Sequence, residues 1–239
     1  LFNVISKQSG LILVCGPTGS GKTTTIYSLL NTLLGRGLNI MTIEDPVEVE
    51  LPKIIQTQVN ENVGLTFAKG LRSLLRNDPD VILVGEIRDS ETAEIAVRAA
   101  MTGHLVISTV HANSPVGAIK RLTNLNVDPS LLSDCLLGVY SQRLVRVYCQ
   151  DCRDQSIISK SHSSTLPVIF KGCKSCYNSG FKGRSPIMSH VEIDNKIAAM
   201  IETNPAEITI SDTMHTEALE LYKSGLTPQF EIVKLKKNS

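Results

Sequence analysis

The sequence predicts an α/β protein: a parallel β-sheet covered by helices, followed by a small tetracysteine segment and a helical tail. Three observations predict it. Over residues 1–148, short β-branched runs alternate with longer helical patterns, as in a sheet built through crossover helices. Gly16-Pro17-Thr18-Gly19-Ser20-Gly21-Lys22-Thr23 fits the G-x-x-x-x-G-K-[ST] phosphate-binding pattern between a strand and a helix. Where the alternation stops, two C-x-x-C pairs follow, Cys149/Cys152 and Cys173/Cys176.

Leu11 to Cys15 is a continuous apolar run of strand length. A helix is expected from Lys22 to about Leu34, closed by Gly35 and Gly37. Ile40 to Ile43 reads as a second strand running into Glu44-Asp45-Pro46, where Pro46 stops it. Phe67 to Arg76 reads as a helix ended by Asp78-Pro79, and Val81 to Val84 as a third strand ending at Gly85-Glu86. Ser90 is expected to cap a helix running to Met101, ahead of a fourth strand from Leu105 to Thr109. Pro115 to Leu125 and Pro129 to about Val139 read as helices, and Arg143 to Tyr148 as an extended piece.

Beyond Cys149 the texture changes. Asp154 to Pro167 is Ser-rich and reads as a loop, and the tail from Ile193 carries helical patterns broken at Pro205, Gly225 and Pro228. Lys234, Lys236 and Lys237 read as a solvated terminus. The expected division is a core over 1–148, a tetracysteine subdomain over 149–190 and a helical region over 191–239. The chain opens at Leu1 just before a core strand, so an upstream domain is expected.

Composition narrows the classes. At 239 residues with 42% hydrophobic and 20% charged residues, the chain can bury a substantial core and is not of disordered type. It contains no apolar run of the roughly 20 residues that span a bilayer, so membrane insertion is not expected. A net charge of +1 supplies no general attraction to nucleic acid, and 4% aromatics without Trp leave little to stack on bases. The paired cysteines are a metal pattern of a reducing compartment, which predicts a cytoplasmic protein, while Cys15 and Cys135 sit in apolar core segments.

The glycines of the loop let successive N–H groups face one anion, and the helix that follows adds its positive end. Lys22 is expected to reach the β- and γ-phosphates of ATP and the Thr23 hydroxyl to coordinate Mg²⁺. The nucleotide-binding set is Gly16, Pro17, Thr18, Gly19, Ser20, Gly21, Lys22, Thr23 and Thr24. Hydrolysis also needs a carboxylate at a strand end beside the loop. Glu86 follows a buried strand and is expected to position the attacking water. Glu44 is the second catalytic candidate, by contact with Mg²⁺ or its water shell, with Asp45 behind it. His111 is expected on the same rim, near the γ-phosphate; His104 falls at the opposite end. Arg72, Arg76 and Arg88 are candidates for phosphate or subunit contacts, and surface ion pairing explains them equally well.

The cysteine pairs are separated by twenty residues, a spacing that suits a closed tetrahedral Zn²⁺ site formed by Cys149, Cys152, Cys173 and Cys176. With all four positions filled by thiolates, the Zn²⁺ is expected to be structural.

Several stretches together resemble the ATPases of type II secretion and type IV pilus assembly. They are GPTGSGKTTT from Gly16, TIEDPVE from Thr42, LRSLLRNDPDVILVGEIRDSETA from Leu71, TGHLVISTVHAN from Thr102, and SQRLVR before the cysteines. They are similar to that family's Walker A, Asp, Walker B and His boxes, in the family's order. The resemblance implies a RecA-like P-loop NTPase core that hydrolyses ATP in a cytoplasmic hexamer. Such hexamers drive an inner-membrane platform, and an upstream domain supplies arginines to the nucleotide. Two other readings are a non-catalytic nucleotide-sensing ring scaffold and a nucleic-acid-dependent P-loop ATPase. Low charge and few aromatics oppose the second; Lys22, Thr23, Glu44 and Glu86 together oppose the first.

Overall fold

A computed structural model describes residues 4–153, 171–209 and 213–236. Seven strands form one sheet: β1 (Gly10–Cys15), β2 (Ile40–Glu44), β3 (Ile55–Gln58), β4 (Val81–Val84), β5 (Leu105–Val110), β6 (Leu136–Tyr148) and β7 (Phe181–Glu192). Their order is β3-β2-β4-β5-β1-β6-β7, with β2 parallel to β3 and β4, β5 to β4 and β1, and β6 to β1. The α-helices are α1 (Lys22–Leu34), α2 (Phe67–Leu74), α3 (Ser90–Met101), α4 (Pro115–Asn124), α5 (Pro129–Cys135), α6 (Asn195–Thr203), α7 (Thr213–Lys223) and α8 (Gln229–Lys236).

Every residue of β1, β2 and β4 is buried, which is why β1 and β4 are unbroken apolar runs rather than alternating ones, while β2 carries Thr42 and Glu44 with their polar groups hydrogen-bonded. The pleat sends Leu11, Leu13 and Cys15 into one layer with Leu71, Ala96, Leu122, Leu132 and Ile201. It sends Ile12 and Val14 into the other, against Ile26, Leu30 and Leu33 of α1. In register, Ile43 lies beside Val84, Val84 beside Ser108, and Val14 beside Thr109. The carboxyl ends of β1, β2, β4 and β5 therefore share one edge of the sheet, where an open α/β sheet places its ligands.

The chain divides into two compact units. One comprises Leu1–Ser141 with His190–Ile210, the other Gln142–Ser189 with Ser211–Ser239. The second unit has its own small core of Val145, Ile187, Met214, Ala218, Ile232 and Leu235. Beside that core, Arg146 pairs with the buried Glu231 at 2.9 Å, and its guanidinium lies 4.6 Å from the Phe181 ring. No helix among the described residues is long and apolar enough to cross a membrane.

Several elements differ from the sequence expectation. The helix expected through Val139 ends at Cys135, because Leu136 to Tyr140 pair with β1 as β6. Sheet pairing outweighs the helical pattern of that stretch. Asp89, not Ser90, caps α3, its Oδ1 accepting the Thr92 N–H at 2.8 Å. The second strand extends to Glu44, and α2 ends at Leu74, two residues short of Arg76. β3 and β7 were not among the expected strands. β3 has exposed or half-buried residues throughout and so lacks an apolar signature. The expected loop from Asp154 to Pro167 lies outside the described residues, as does Lys237.

Candidate nucleotide site and cysteine cluster

β1 runs out at Cys15 into the glycine loop, and Gly19 and Gly21 take φ of 76° and 85°. That region is closed to most side chains, so the loop's course depends on glycine there. Lys22 opens α1, and its Nζ donates to the Gly16 and Pro17 carbonyls at 2.9 and 3.1 Å. Thr23 and Thr24 are exposed on the first turn.

The start of α1 is chemically unlike those of α2 to α6. Helices α2 to α6 begin with Thr66, Asp89, Ser114, Asp128 and Asp194, each accepting a backbone N–H with its side chain. α1 begins at Gly21, with no side-chain cap. Its first-turn N–H groups and positive dipole end are therefore available to an external anion. Burial pushes the Lys22 ammonium below its ordinary pKa, and the nearby Glu86 carboxylate acts in the opposite direction. Cys15 stays a neutral thiol, pushed up to about 11 by burial against a hydrogen bond from Ser141 and the charge of Lys22.

Glu86 is fixed by the backbone on both sides. Gly85 N–H donates to Ile43 O at 2.8 Å, and Ile87 N–H to Thr109 O at 2.9 Å. The Thr109 hydroxyl closes the frame by donating to Gly85 O at 2.7 Å. A Cβ on Gly85 would lie 3.2 Å from both Glu44 Cα and Ile43 O, so the exit of β4 approaches β2 as closely as glycine allows. That explains glycine at a position where a metal-associated Asp often stands.

The Glu86 side chain is 14% exposed. Its Oε1 accepts from Arg88 Nη2, while His111 Nε2 lies 3.3 Å from Oε2 on a ring that is 65% exposed. The structure thus brings Glu86, His111 and Arg88 together at the sheet edge that carries the loop. Arg72 pairs with Glu91 at 2.7 Å, and Arg76 donates to the Arg72 carbonyl. His104 Nδ1 sits 3.0 Å from Ala99 O at the other end of β5.

Glu44 is 4% exposed and enclosed by protein donors. Oε2 accepts from the Tyr27 hydroxyl at 2.5 Å; Oε1 accepts from Thr42 at 2.6 Å and from Gln56 at 3.1 Å. Through these bonds one carboxylate joins α1 to β2 and β3. Burial and the Glu44 contact push the Tyr27 phenol up to about 12. Tyr27→Phe should leave a buried carboxylate oxygen without its donor and cost about 1–3 kcal/mol, read by denaturant unfolding. An unchanged unfolding midpoint would show that water replaces the phenol. Neither Tyr27 nor Gln56 stands out in the sequence: one lies on an ordinary helix, the other on the unpredicted strand.

In the second unit, Cys149, Cys152, Cys173 and Cys176 place their sulfur atoms within 4.8 Å of one another. Cys149–Cys173, Cys152–Cys176 and Cys173–Cys176 are 3.9, 3.8 and 3.8 Å apart. A tetrahedral thiolate site with bonds of about 2.3 Å has edges of about 3.8 Å, whereas a disulfide needs about 2.05 Å. The donor set therefore fits a metal and excludes disulfides. Hydrogen bonding at Cys173 draws the Cys176 thiol below its ordinary pKa, while burial pushes Cys152 up.

Residues 1–233 match the family model described as Type II/IV secretion system protein. Type II secretion system protein E of Pseudomonas aeruginosa is 49% identical over 230 residues, covering 92% of this chain and 46% of that protein. The Klebsiella pneumoniae protein of the same name is 47% identical over 229 residues, covering 93% and 46%. Type II secretion system ATPase E of Vibrio cholerae is 41% identical over 252 aligned positions, covering 99% and 50%. The chain spans about half the length of the curated relatives it matches. Among solved structures, the pilus retraction motor PilT with bound ADP is similar at a TM-score of 0.73 and 32% identity, covering 98% of this chain and 63% of that one. Legionella pneumophila ATPase DotB shares the fold at a TM-score of 0.74 and 22% identity, covering 100% and 63%.

Proposed function

Because the chain belongs to the type II/IV secretion system protein family, we propose that it is the ATP-hydrolysing part of a motor for type II secretion or type IV pilus assembly. The observation that carries this reading is the start of α1: a helix with no side-chain cap, opened by Lys22, within the electrostatic reach of Glu86. The ADP-bound PilT relative supports ATP as the anion. On this reading the core is RecA-like. The protein works as a cytoplasmic hexamer against an inner-membrane platform, with arginines from outside this chain completing the site.

Each residue then has a task. The N–H groups of Gly19 to Thr24 take the phosphate oxygens. Lys22 exchanges the Gly16 and Pro17 carbonyls for the β- and γ-phosphates, and the cost of leaving those acceptors is offset by charge-assisted bonds. The exposed Thr23 hydroxyl on the first turn would hold Mg²⁺, which supplies charge neutralisation to the phosphates when bound. Glu86 orients and activates the attacking water, and His111 stands beside it facing the γ-phosphate. Glu44, expected from the sequence at Mg²⁺ or its water shell, already has both oxygens engaged by protein donors, and we assign it instead to keeping the loop's helix in register with the sheet. The four cysteines would hold Zn²⁺ as a structural centre, four thiolates leaving no position for chemistry.

The test is ATP binding and phosphate release with and without the lysine. Lys22→Ala should weaken ATP binding about 100-fold, the loss of a charge-assisted phosphate contact. A variant that binds ATP like the parent would remove the loop from this reading.

A further inference from the structure

We propose that Arg88 is a positioning residue for Glu86, anchoring one carboxylate oxygen so that the other is held toward the attacking water. The inference rests on the role given to Glu86 above and adds the residue that makes it effective.

Glu86 and Arg88 lie two residues apart between β4 and α3, a separation at which an exposed pair is ordinarily worth little. This pair is not symmetrical. The Glu86 side chain is 14% exposed, Arg88 54%, so a largely buried carboxylate is held by a cation reaching in from the surface. The guanidinium spans two strand ends: Nη2 donates to Glu86 Oε1, and Nη1 lies 3.6 Å from Asp45 Oδ2 beyond β2. The Arg88 backbone is tied as well, its carbonyl accepting from Arg121 Nη2 of α4 at 3.4 Å.

The second observation concerns the other oxygen. Glu86 Oε2 is buried and makes no hydrogen bond to a protein group. The groups facing the carboxylate are Arg88, the His111 ring at 3.3 Å, which pairs ionically only when protonated, and Lys22 by charge. Burying a carboxylate oxygen without a donor is costly, so a protein that does so beside a phosphate-binding loop leaves a place for a donor that arrives with the substrate. A water set for in-line attack is such a donor. Anchoring Oε1 removes rotation about the terminal torsion, and misplacement of about 1 Å at a reacting group can cost about 10²-fold in rate. Arg88 serves this better than lysine would, because its planar fork fixes direction as well as distance.

The experiment measures kcat, KM and ATP affinity in the chain extended to the length of its curated relatives, for Arg88→Ala, Arg88→Lys, Glu86→Gln and the double variant Arg88→Ala/Glu86→Gln. We expect Arg88→Ala to lower kcat about 10- to 100-fold with ATP affinity unchanged, and Arg88→Lys to recover part of the loss. In the Glu86→Gln background, Arg88→Ala should have almost no further effect. Unchanged or raised kcat in Arg88→Ala overturns the proposal, the raised value identifying Arg88 as a mask over Glu86. An equal loss in both backgrounds also overturns it, because Arg88 would then act elsewhere. If Glu86→Gln is inactive while Arg88→Ala is normal, only the Arg88 assignment falls. If Glu86→Gln turns over like the parent, the role of Glu86 falls and this one with it.

Discussion

Replacing Glu86 by Gln should lower ATP turnover by about 10²- to 10⁴-fold, the range of a lost general base, while ATP still binds. The amide preserves the shape and the hydrogen bond capacity of one oxygen, so the frame from Gly85, Ile87 and Thr109 should persist. What it removes is the negative charge shared by Oε2, the oxygen that makes no protein hydrogen bond and has His111 Nε2 3.3 Å away. Binding depends on Lys22 and the first turn of α1, which the substitution does not touch. The separation of the two effects is the informative part, since a loss of binding with turnover would indicate collapse of the sheet edge.

Removing the Zn²⁺ proposed for the four cysteines should have an equally large but local effect. Zn²⁺ sites of this ligand type contribute about 10–16 kcal/mol in zinc-finger peptides, beyond what a small core supplies. Among the described residues, the second unit's core is a small cluster of six buried residues, and most hydrogen bonds at its cysteine knuckles are local, such as Asn178 N–H to Cys173 O at 2.9 Å and Cys149 N–H to Gly180 O at 2.9 Å. One zinc per chain is expected by elemental analysis. Chelation, or Cys152→Ser, should make residues 142–189 sensitive to protease. ATP affinity should hold, because every residue assigned to the nucleotide lies in the other unit. A zinc-free chain with undiminished protease resistance would show that the thiols pack as ordinary side chains.

The parts of this arrangement that were legible in the sequence are those with short-range signatures. The loop declares itself by its glycines and lysine, and β1, β2, β4 and β5 by short runs rich in apolar and β-branched residues, which is enough to bring Glu86 and His111 to the same edge as Lys22. The cysteines converge as their spacing suggests. What the sequence hides depends on partners distant along the chain. β3 has no apolar pattern because its pairing with β2 stabilises it, and Gln56 on it meets Glu44 only after that pairing. The change from α5 to β6 at Leu136 is decided by the free edge of β1. The link from Tyr27 to Glu44 crosses seventeen residues, and nothing local to either residue announces it. Arg88 could be placed from sequence only among surface arginines; its pairing with a mostly buried carboxylate needs the turn after β4.

On the proposed reading the site hydrolyses ATP rather than only binding it. The direct measurement is steady-state phosphate release from Mg²⁺-ATP by the chain extended to the length of its relatives, with ATP binding followed in the same preparation. We expect steady release that disappears without Mg²⁺. Stoichiometric ATP binding with no release above the protein-free rate would contradict it and make the protein a nucleotide-sensing scaffold.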